Sequence, residues 1–247
     1  MTYCVGLLLQ DGLVMIADTR TNAGLDNIAT FRKLHIFEKP GDRFVAMATA
    51  GNLAVSQAIL SLLTEGLADP RSGEEQTIWT VGSMFNCAQL VGKAIREVYR
   101  IDGPSLQQQQ ASFDVSILLG GQIRKGRTRL FQLYAAGNFI EATADTPFLQ
   151  IGEHKYGKPI LDRAAQFTTS LDQGLKLALI SMDSTMRSNL AVGLPIDVAV
   201  YRRDTLKADL DYRITREEPY FADLRERWSR ALREAQANIP TPPYWSA

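Results

Sequence analysis

The sequence predicts an α+β fold in which antiparallel sheets are covered by helices. Short apolar runs bounded by turn residues, typical of strands, alternate along the chain with pairs of segments that have helical periodicity. This alternation favours antiparallel sheets with the helices layered outside them. No linker, composition break or internal repeat divides the 247 residues. We therefore expect one domain at residues 1–215, followed by a C-terminal helix and tail at 216–247.

The first fifty residues predict two hairpins. Each hairpin consists of two short apolar runs around a turn, and the turns are Gln10-Asp11-Gly12 and Lys39-Pro40-Gly41-Asp42. The predicted strands cover residues 3–9, 13–17, 33–37 and 43–48. The polar stretch at residues 19–27 separates the two hairpins.

The hydrophobic period then changes to that of helices. Asn52 is placed to cap a helix that Gly66 follows, and a loop at 69–73 leads to a second helix at 77–101, ended by Gly103-Pro104. Further helices are predicted at 154–167, from Ser170 (with Gln173 placed for a capping box) and at 220–237. The remaining predicted strands cover residues 114–119, 129–135, 139–143, 148–151, 196–201 and 208–212.

Composition excludes several classes of function. The 27 basic residues balance the 27 acidic ones, so no global field gathers nucleic acid or an anionic membrane. Two cysteines and two histidines exclude a disulfide scaffold and a His-rich metal site. No apolar run reaches about 18 residues, and no signal peptide or phosphate-binding glycine loop is present. We expect a cytoplasmic protein without cofactor, metal, nucleic acid or membrane partner.

The second residue is the first candidate for chemistry. Met1 precedes Thr2, whose small side chain permits removal of the methionine. A threonine hydroxyl becomes a nucleophile when a base takes its proton, and the residue's own α-amine can be that base. An unperturbed α-amine titrates near 7.7–8.0, so much of it is neutral at cytoplasmic pH. The alternative is an ordinary N-terminus.

Three other residues lie at strand ends, where they could join Thr2. Asp18 ends the second predicted strand and Lys33 begins the third, so adjacent strands would bring both to one edge with Thr2. An ammonium beside the α-amine keeps that amine neutral. Gly51 precedes a helix, where free N–H groups can bind an oxyanion. The alternatives are a surface ion pair and a simple strand-to-helix turn.

Taken together, these residues resemble the proteasome β-type subunits of the N-terminal nucleophile (Ntn) hydrolases, and most closely the bacterial ancestral β-subunit (Anbu) family. The similarity lies in residues 1–7 (Met-Thr-Tyr-Cys-Val-Gly-Leu), 17–24, 30–35 and 48–51. The resemblance implies a four-layer αββα sandwich and threonine-type peptide hydrolysis by identical subunits in a ring or spiral. Because the chain has no ATPase motif, energy for unfolding substrates would require a separate unfoldase.

The resemblance also implies roles for the candidate residues. Thr2 would be the nucleophile and base, Lys33 would tune its amine, Asp18 would fix the lysine, and the Gly51 N–H would bind the oxyanion. Arg20 would support the site. The pocket for the residue before the scissile bond would be lined by Thr21, Phe31, Thr49 and Leu53. This lining favours a small or apolar side chain, with Asp26 and Glu153 as unplaced modifiers.

The chain departs from the proteasomal pattern at positions that assist the amine and hydroxyl. Gly152-Glu153-His154 replaces a Gly-Ser-Gly turn, and Val192-Gly193-Leu194 replaces Ser-Gly-Gly. Ser188 and Asn189 would substitute in part. We expect an active site with reduced peptidase activity.

Two alternatives stay open: an assembly or scaffold protein that lost proteolysis, and an Ntn amidase acting on small amides. The C-terminal aromatics would dock on a neighbouring subunit or pack on their own domain.

Overall fold

The computed structural model describes residues 1–22, 28–68 and 73–245. Within them, two five-stranded antiparallel sheets stack face to face. The first sheet has the spatial order β12 (Phe148–Gly152), β1 (Tyr3–Leu9), β2 (Gly12–Asp18), β13 (Ile196–Arg202) and β14 (Ala208–Ile214). The second has the order β11 (Phe139–Glu141), β10 (Arg129–Leu133), β9 (Val115–Ile123), β6 (Arg43–Gly51) and β5 (Leu34–Lys39).

Short elements and helices complete the described part of the chain. Two small sheets pair β3 (Arg20–Asn22) with β4 (Ile28–Thr30) and β7 (Leu67–Ala68) with β8 (Glu75–Gln76). The α-helices are α1 (Leu53–Glu65), α2 (Met84–Gln108), α3 (His154–Ala164), α4 (Leu171–Ser188) and α5 (Pro219–Ala237), followed by a 3₁₀ turn at Pro243–Trp245. None of the helices in these ranges is long and apolar enough to cross a membrane.

Strand alternation explains the layers. In β1, Cys4 points into the apolar layer between the two sheets, whereas Tyr3 and Val5 point to the opposite face, towards α3, α4 and α5. In β6, Ala46 lies between the sheets and Val45 packs under α1 and α2. Three apolar layers therefore separate four layers of structure. The predicted αββα sandwich is confirmed.

Two local predictions were wrong. The second helix begins after Ser83, whose hydroxyl accepts from the Asn86 N–H, and runs through Gly103-Pro104 to Gln108. Leu106 packs against the core there, so tertiary packing extends the helix past a helix-breaking pair. The predicted capping box at Ser170 is absent, because the Asp172 carboxylate accepts from both Ser170 and Gln173.

The C-terminal helix packs against its own domain, and the tail does not. Phe221 and Leu224 of α5 are buried in the layer formed with α4. Asp183 of α4, fully buried, accepts from Arg225 of α5 at 2.6 Å. Tyr244 and Trp245, by contrast, are exposed. Asp26 and residues 69–72 of the predicted loop lie outside the described residues.

Candidate active site

The peptide of Thr2 is held from both sides at the end of β1. On one side, the Tyr3 N–H donates to Asp18 Oδ1 at 3.0 Å. On the other, the Thr2 C=O accepts from the Glu153 N–H at 2.7 Å. Thr2 is 8% exposed, because β1 lies between β2 and β12 rather than at a sheet edge. Thr2 therefore has a fixed position, unlike the frayed ends of most chains.

Asp18 is the centre of the polar contacts behind Thr2. Its carboxylate is fully buried and accepts from Lys33 Nζ at 2.9 Å and from the Gly193 N–H at 3.4 Å, in addition to Tyr3. Burial raises the pKa of Asp18, while the Lys33 ammonium and the two backbone N–H groups oppose that rise. Lys33 Nζ also donates to the Arg20 C=O at 2.6 Å. All these donors favour the ionised carboxylate.

Lys33 reaches Asp18 from the other sheet. We expected the strands that carry them to be neighbours, and this was wrong: β2 lies in the first sheet, whereas Lys33 precedes β5 in the second. The Thr49 N–H of β6 donates to the Lys33 C=O at 3.0 Å and holds the lysine backbone. The side chain then crosses the layer between the sheets. The structure thus brings Thr2, Asp18 and Lys33 together by stacking rather than by strand pairing.

A cleft of about 1620 Å³ opens in front of Thr2. Residues from both sheets and from α3 line it. The five positions expected for the substrate pocket and oxyanion site all belong to this lining: Thr21, Phe31, Thr49, Gly51 and Leu53. The predicted site residues therefore share one cavity, and their individual roles stay predictions.

Gly51 has a backbone that requires glycine. Its φ is +109°, and a Cβ there would lie 2.2 Å from the Asp114 carbonyl oxygen. In the same cleft, the Thr21 hydroxyl is buried without a hydrogen-bond partner among the described residues.

The three supporting candidates are placed differently. The Arg20 guanidinium donates to the Leu190 C=O at 2.7 Å and packs against Gly193, where a Cβ would lie 2.6 Å from its central carbon. Asn189 Nδ2 donates to Met1 Sδ at 3.3 Å, so this side chain touches the residue that precedes Thr2. Ser188 is exposed at the end of α4 and does not line the cleft.

Sequence reasoning missed the parts that Gly152 and Tyr3 play beside Thr2. Gly152 has φ +80°, and a Cβ there would lie 1.9 Å from the Thr2 carbonyl oxygen. The Tyr3 hydroxyl lies buried between Ser181 and Gln150, and burial raises its pKa. In the sequence Gly152 follows an apolar run, and a glycine at the end of a strand was the signal that could have indicated this close approach. Nothing in the sequence distinguished Tyr3 from other core residues.

The thiol close to Thr2 in the sequence does not extend the site. The Cys4 thiol is fully buried, and burial raises its pKa, which keeps it protonated and unreactive. Across residues 1–22, 28–68 and 73–245, no group of three or more His, Cys, Asp or Glu side chains is placed to hold a metal ion.

Comparisons with known proteins identify the family. The family model described as "Proteasome subunit" matches residues 2–201. The proteasome subunit beta of Methanocaldococcus vulcanius is 26% identical over 215 residues, covering 87% of this chain and 88% of the relative.

Solved structures give closer matches. The Anbu (Gly-1) mutant from Hyphomicrobium sp. strain MC1 is 48% identical, with a TM-score of 0.89 and coverage of 98% of this chain and 99% of that one. Anbu (ancestral beta-subunit) from Yersinia bercovieri is also 48% identical, with a TM-score of 0.89 and coverage of 97% and 98%. The Pseudomonas aeruginosa Anbu complex, described as a helical assembly, is 46% identical, with a TM-score of 0.90 and coverage of 99% and 100%. The chain therefore belongs to the proteasome subunit family and, within it, to the Anbu group.

Proposed function

We propose that this protein is a threonine peptidase in which Thr2, made N-terminal by removal of Met1, attacks peptide bonds. The observation that carries the proposal is the buried Asp18–Lys33 pair behind the fixed peptide of Thr2, at the wall of a cleft large enough for a peptide. A buried ion pair costs desolvation energy and gives little net stability. Its position beside Thr2 favours a functional role.

In the proposed reaction the α-amine of Thr2 takes the hydroxyl proton while Oγ1 attacks the carbonyl carbon of the substrate. The Gly51 N–H donates to the oxyanion of the tetrahedral intermediate. The carbon–nitrogen bond breaks, and the leaving amine takes the proton from the α-ammonium. Water, deprotonated by the same amine, then hydrolyses the Thr2 ester. The Lys33 ammonium, held by Asp18, favours the neutral form of the amine.

The pocket favours small or apolar substrate side chains. Thr21, Phe31, Thr49 and Leu53 line the cleft and carry no charge. Glu153, the one acidic modifier that the structure describes, also lines the cleft. Because Glu153 lies next to Thr2, we expect its charge to act on the nucleophile more than on the substrate side chain.

We further propose that identical subunits assemble into a ring or spiral. Ile239, Tyr244 and Trp245 are exposed in the tail, and apolar side chains of this size are typical of interfaces. The P. aeruginosa relative is described as a helical assembly. Unfolded peptides would enter such an assembly directly, and folded substrates would require a separate unfoldase.

A second candidate is an assembly protein of the same fold without proteolysis. Val192, where proteasomal subunits have a serine, is buried in the apolar layer under α4. Ser188 is exposed away from the cleft. Two positions that assist the proteasomal nucleophile thus offer no polar group to Thr2, which favours weak or absent hydrolysis.

Intact-mass analysis with an epoxyketone or β-lactone probe tests the proposal. The expected result is loss of Met1 and addition of one probe in the wild type and in the control Thr64→Ala, an exposed threonine on α1, with no addition in Thr2→Ala. Retention of Met1 would refute the proposal. Loss of Met1 without labelling would favour the assembly protein. Labelling with cleavage of small amides but not of peptides would indicate an amidase.

A further inference from the structure

Glu153 lies opposite Thr2 at the end of the first sheet. In the antiparallel pair of β1 and β12, Tyr3 is opposite Gly152, and the register places Thr2 opposite Glu153 one residue further. The hydrogen bond from the Glu153 N–H to the Thr2 C=O continues that pairing. Residues that lie opposite each other in an antiparallel pair have Cα atoms about 4.5–5.5 Å apart. The Glu153 side chain is therefore within reach of the Thr2 backbone.

The nitrogen of Thr2 faces Glu153 rather than Asp18. In an extended strand the N–H and C=O of one residue point to the same side, and those of the next residue point to the other. The Tyr3 N–H points towards β2, where Asp18 accepts it, and the Thr2 C=O points towards β12. Where Thr2 continues the extended backbone of β1, its nitrogen lies on the same side as its own carbonyl. Removal of Met1 would thus release the amine next to Glu153.

The Glu153 carboxylate has no strong partner in the described structure. Glu153 is the N-cap residue of α3, but its side chain makes no capping hydrogen bond. Its nearest cation is Lys155 Nζ at 3.9 Å, on a side chain that is 67% exposed, so the pair is weak. The N-terminus of α3 stabilises a negative charge at this position. The Glu153 carboxylate therefore lines the cleft beside Thr2 with only this weak partner.

The other charged groups facing the amine are engaged or exposed. Among the described residues, the further titratable side chains lining the cleft are Lys33, Asp114, Tyr134, Asp145, His154, Lys158 and Asp162. Lys33 is paired with Asp18, Lys158 with Asp162, and His154 Nδ1 bonds the Gly152 C=O. Asp114 and Asp145 are exposed, so solvent screens their charges. Behind the amine, the Tyr3 hydroxyl and Cys4 thiol are buried and uncharged.

We propose that the Glu153 carboxylate forms an ion pair with the α-ammonium that removal of Met1 leaves on Thr2. The inference rests on the proposed function in that Thr2 must become the first residue. The pair orients the amine and stabilises its protonated form, which opposes the effect of Lys33. An opposite charge at this range raises the pKa of an amine by about one unit. The neutral base is then about tenfold scarcer at neutral pH, and hydrolysis is favoured under alkaline conditions.

The pKa of the Thr2 amine tests the proposal without relying on catalysis. Protein verified by mass to lack Met1 is labelled with trace acetic anhydride between pH 5.5 and 10, and acetylation of Thr2 is followed by peptide mass spectrometry. We expect the pKa to fall by about one unit in Glu153→Gln and to change little in Glu153→Asp. Asp145→Asn, which removes an exposed cleft carboxylate, should shift it by less than about 0.3 units. Equal values in the wild type and Glu153→Gln, or equal shifts in Glu153→Gln and Asp145→Asn, would refute the pair.

The labelling rate with the threonine probe separates this proposal from the function it rests on. We expect Glu153→Gln to react about tenfold faster than the wild type at pH 7, with its pH midpoint shifted down by the same unit. A shifted amine pKa in a protein that never takes up probe would leave the ion pair standing and refute the peptidase. Probe uptake with an unshifted amine pKa would support the peptidase and refute the ion pair. Unchanged melting temperatures in all variants exclude an effect of misfolding.

Discussion

Replacing Asp18 with asparagine should destabilise the protein strongly, because it leaves the Lys33 ammonium buried without a counter-charge. Asparagine keeps the shape of the side chain and one acceptor oxygen, so the substitution mainly removes charge. The Lys33 side chain is 6% exposed and that of Asp18 is fully buried. Breaking one side of such a pair costs about 3–5 kcal/mol. For a chain of this length, that loss lowers Tm by roughly 6–20 °C.

Urea unfolding at fixed protein concentration measures this loss, since self-association would otherwise change the apparent stability. The matched control is Asp145→Asn, an exposed carboxylate on the same cleft, which should stay within about 0.5 kcal/mol of the wild type. The double variant Asp18→Asn/Lys33→Met removes both charges and should recover part of the loss. We expect a coupling energy of about 2 kcal/mol between the two positions. A loss below about 1 kcal/mol in Asp18→Asn, or additive effects in the double variant, would refute the buried pair.

Three other substitutions test the contact of Gly152 with Thr2, the anchor of the C-terminal helix and the dependence of stability on pH. Gly152→Ala should lower the free energy of unfolding in urea by more than about 2 kcal/mol, because its Cβ would lie 1.9 Å from the carbonyl oxygen of Thr2, just before β1. Gly41→Ala, at φ +76° with open space around it, should lose only about 1–2 kcal/mol, the cost of the left-handed conformation itself. Asp183→Asn should raise hydrogen exchange of α5 about tenfold, because the hydrogen bond from Arg225 loses its charged acceptor. Unchanged exchange would contradict this anchor. Burial and then Arg32 lower the pKa of His35. As pH falls, the unfolded chain therefore binds this proton before the folded one, and stability falls below about pH 6.5. The slope of stability against pH, at most about 1.4 kcal/mol per pH unit, should flatten in His35→Gln.

Most of the secondary structure was predictable, because apolar period and turn residues act locally. The strand at residues 3–9 and the helix between Asn52 and Gly66 follow from these signals alone. The start of α2 was not predictable in this way. Ile78 and Val81 continue the apolar pattern of the helix, yet they belong to a turn whose carbonyls accept from the buried guanidinium of Arg43. A contact between residues 35 or more positions apart leaves no local signal.

The sequence named the candidate residues but did not show how the fold brings them together. Thr2, Asp18 and Lys33 were chosen as strand-end residues, and the sequence could not show that β2 and β5 belong to different sheets. Glu153 was noted as a departure from a family pattern and as an unplaced modifier of the substrate pocket. Its proximity to Thr2 depends on the pairing of β1 with β12, which are separated by more than a hundred residues.

The central position of β1 has a consequence for the order of events in the cell. Met1 is 64% exposed, but the bond that joins it to Thr2 leads directly into a buried strand whose carbonyl and next N–H are both bonded. An aminopeptidase must take the first residues of its substrate into its own active site as a free segment, and the folded chain does not offer one. The methionine removal that we propose would then have to precede the docking of β1, while the nascent chain is still unfolded. If Thr2 is the nucleophile, as we propose, processing of the chain competes with its folding, and the relative rates of the two would set the fraction of chains that carry a free threonine.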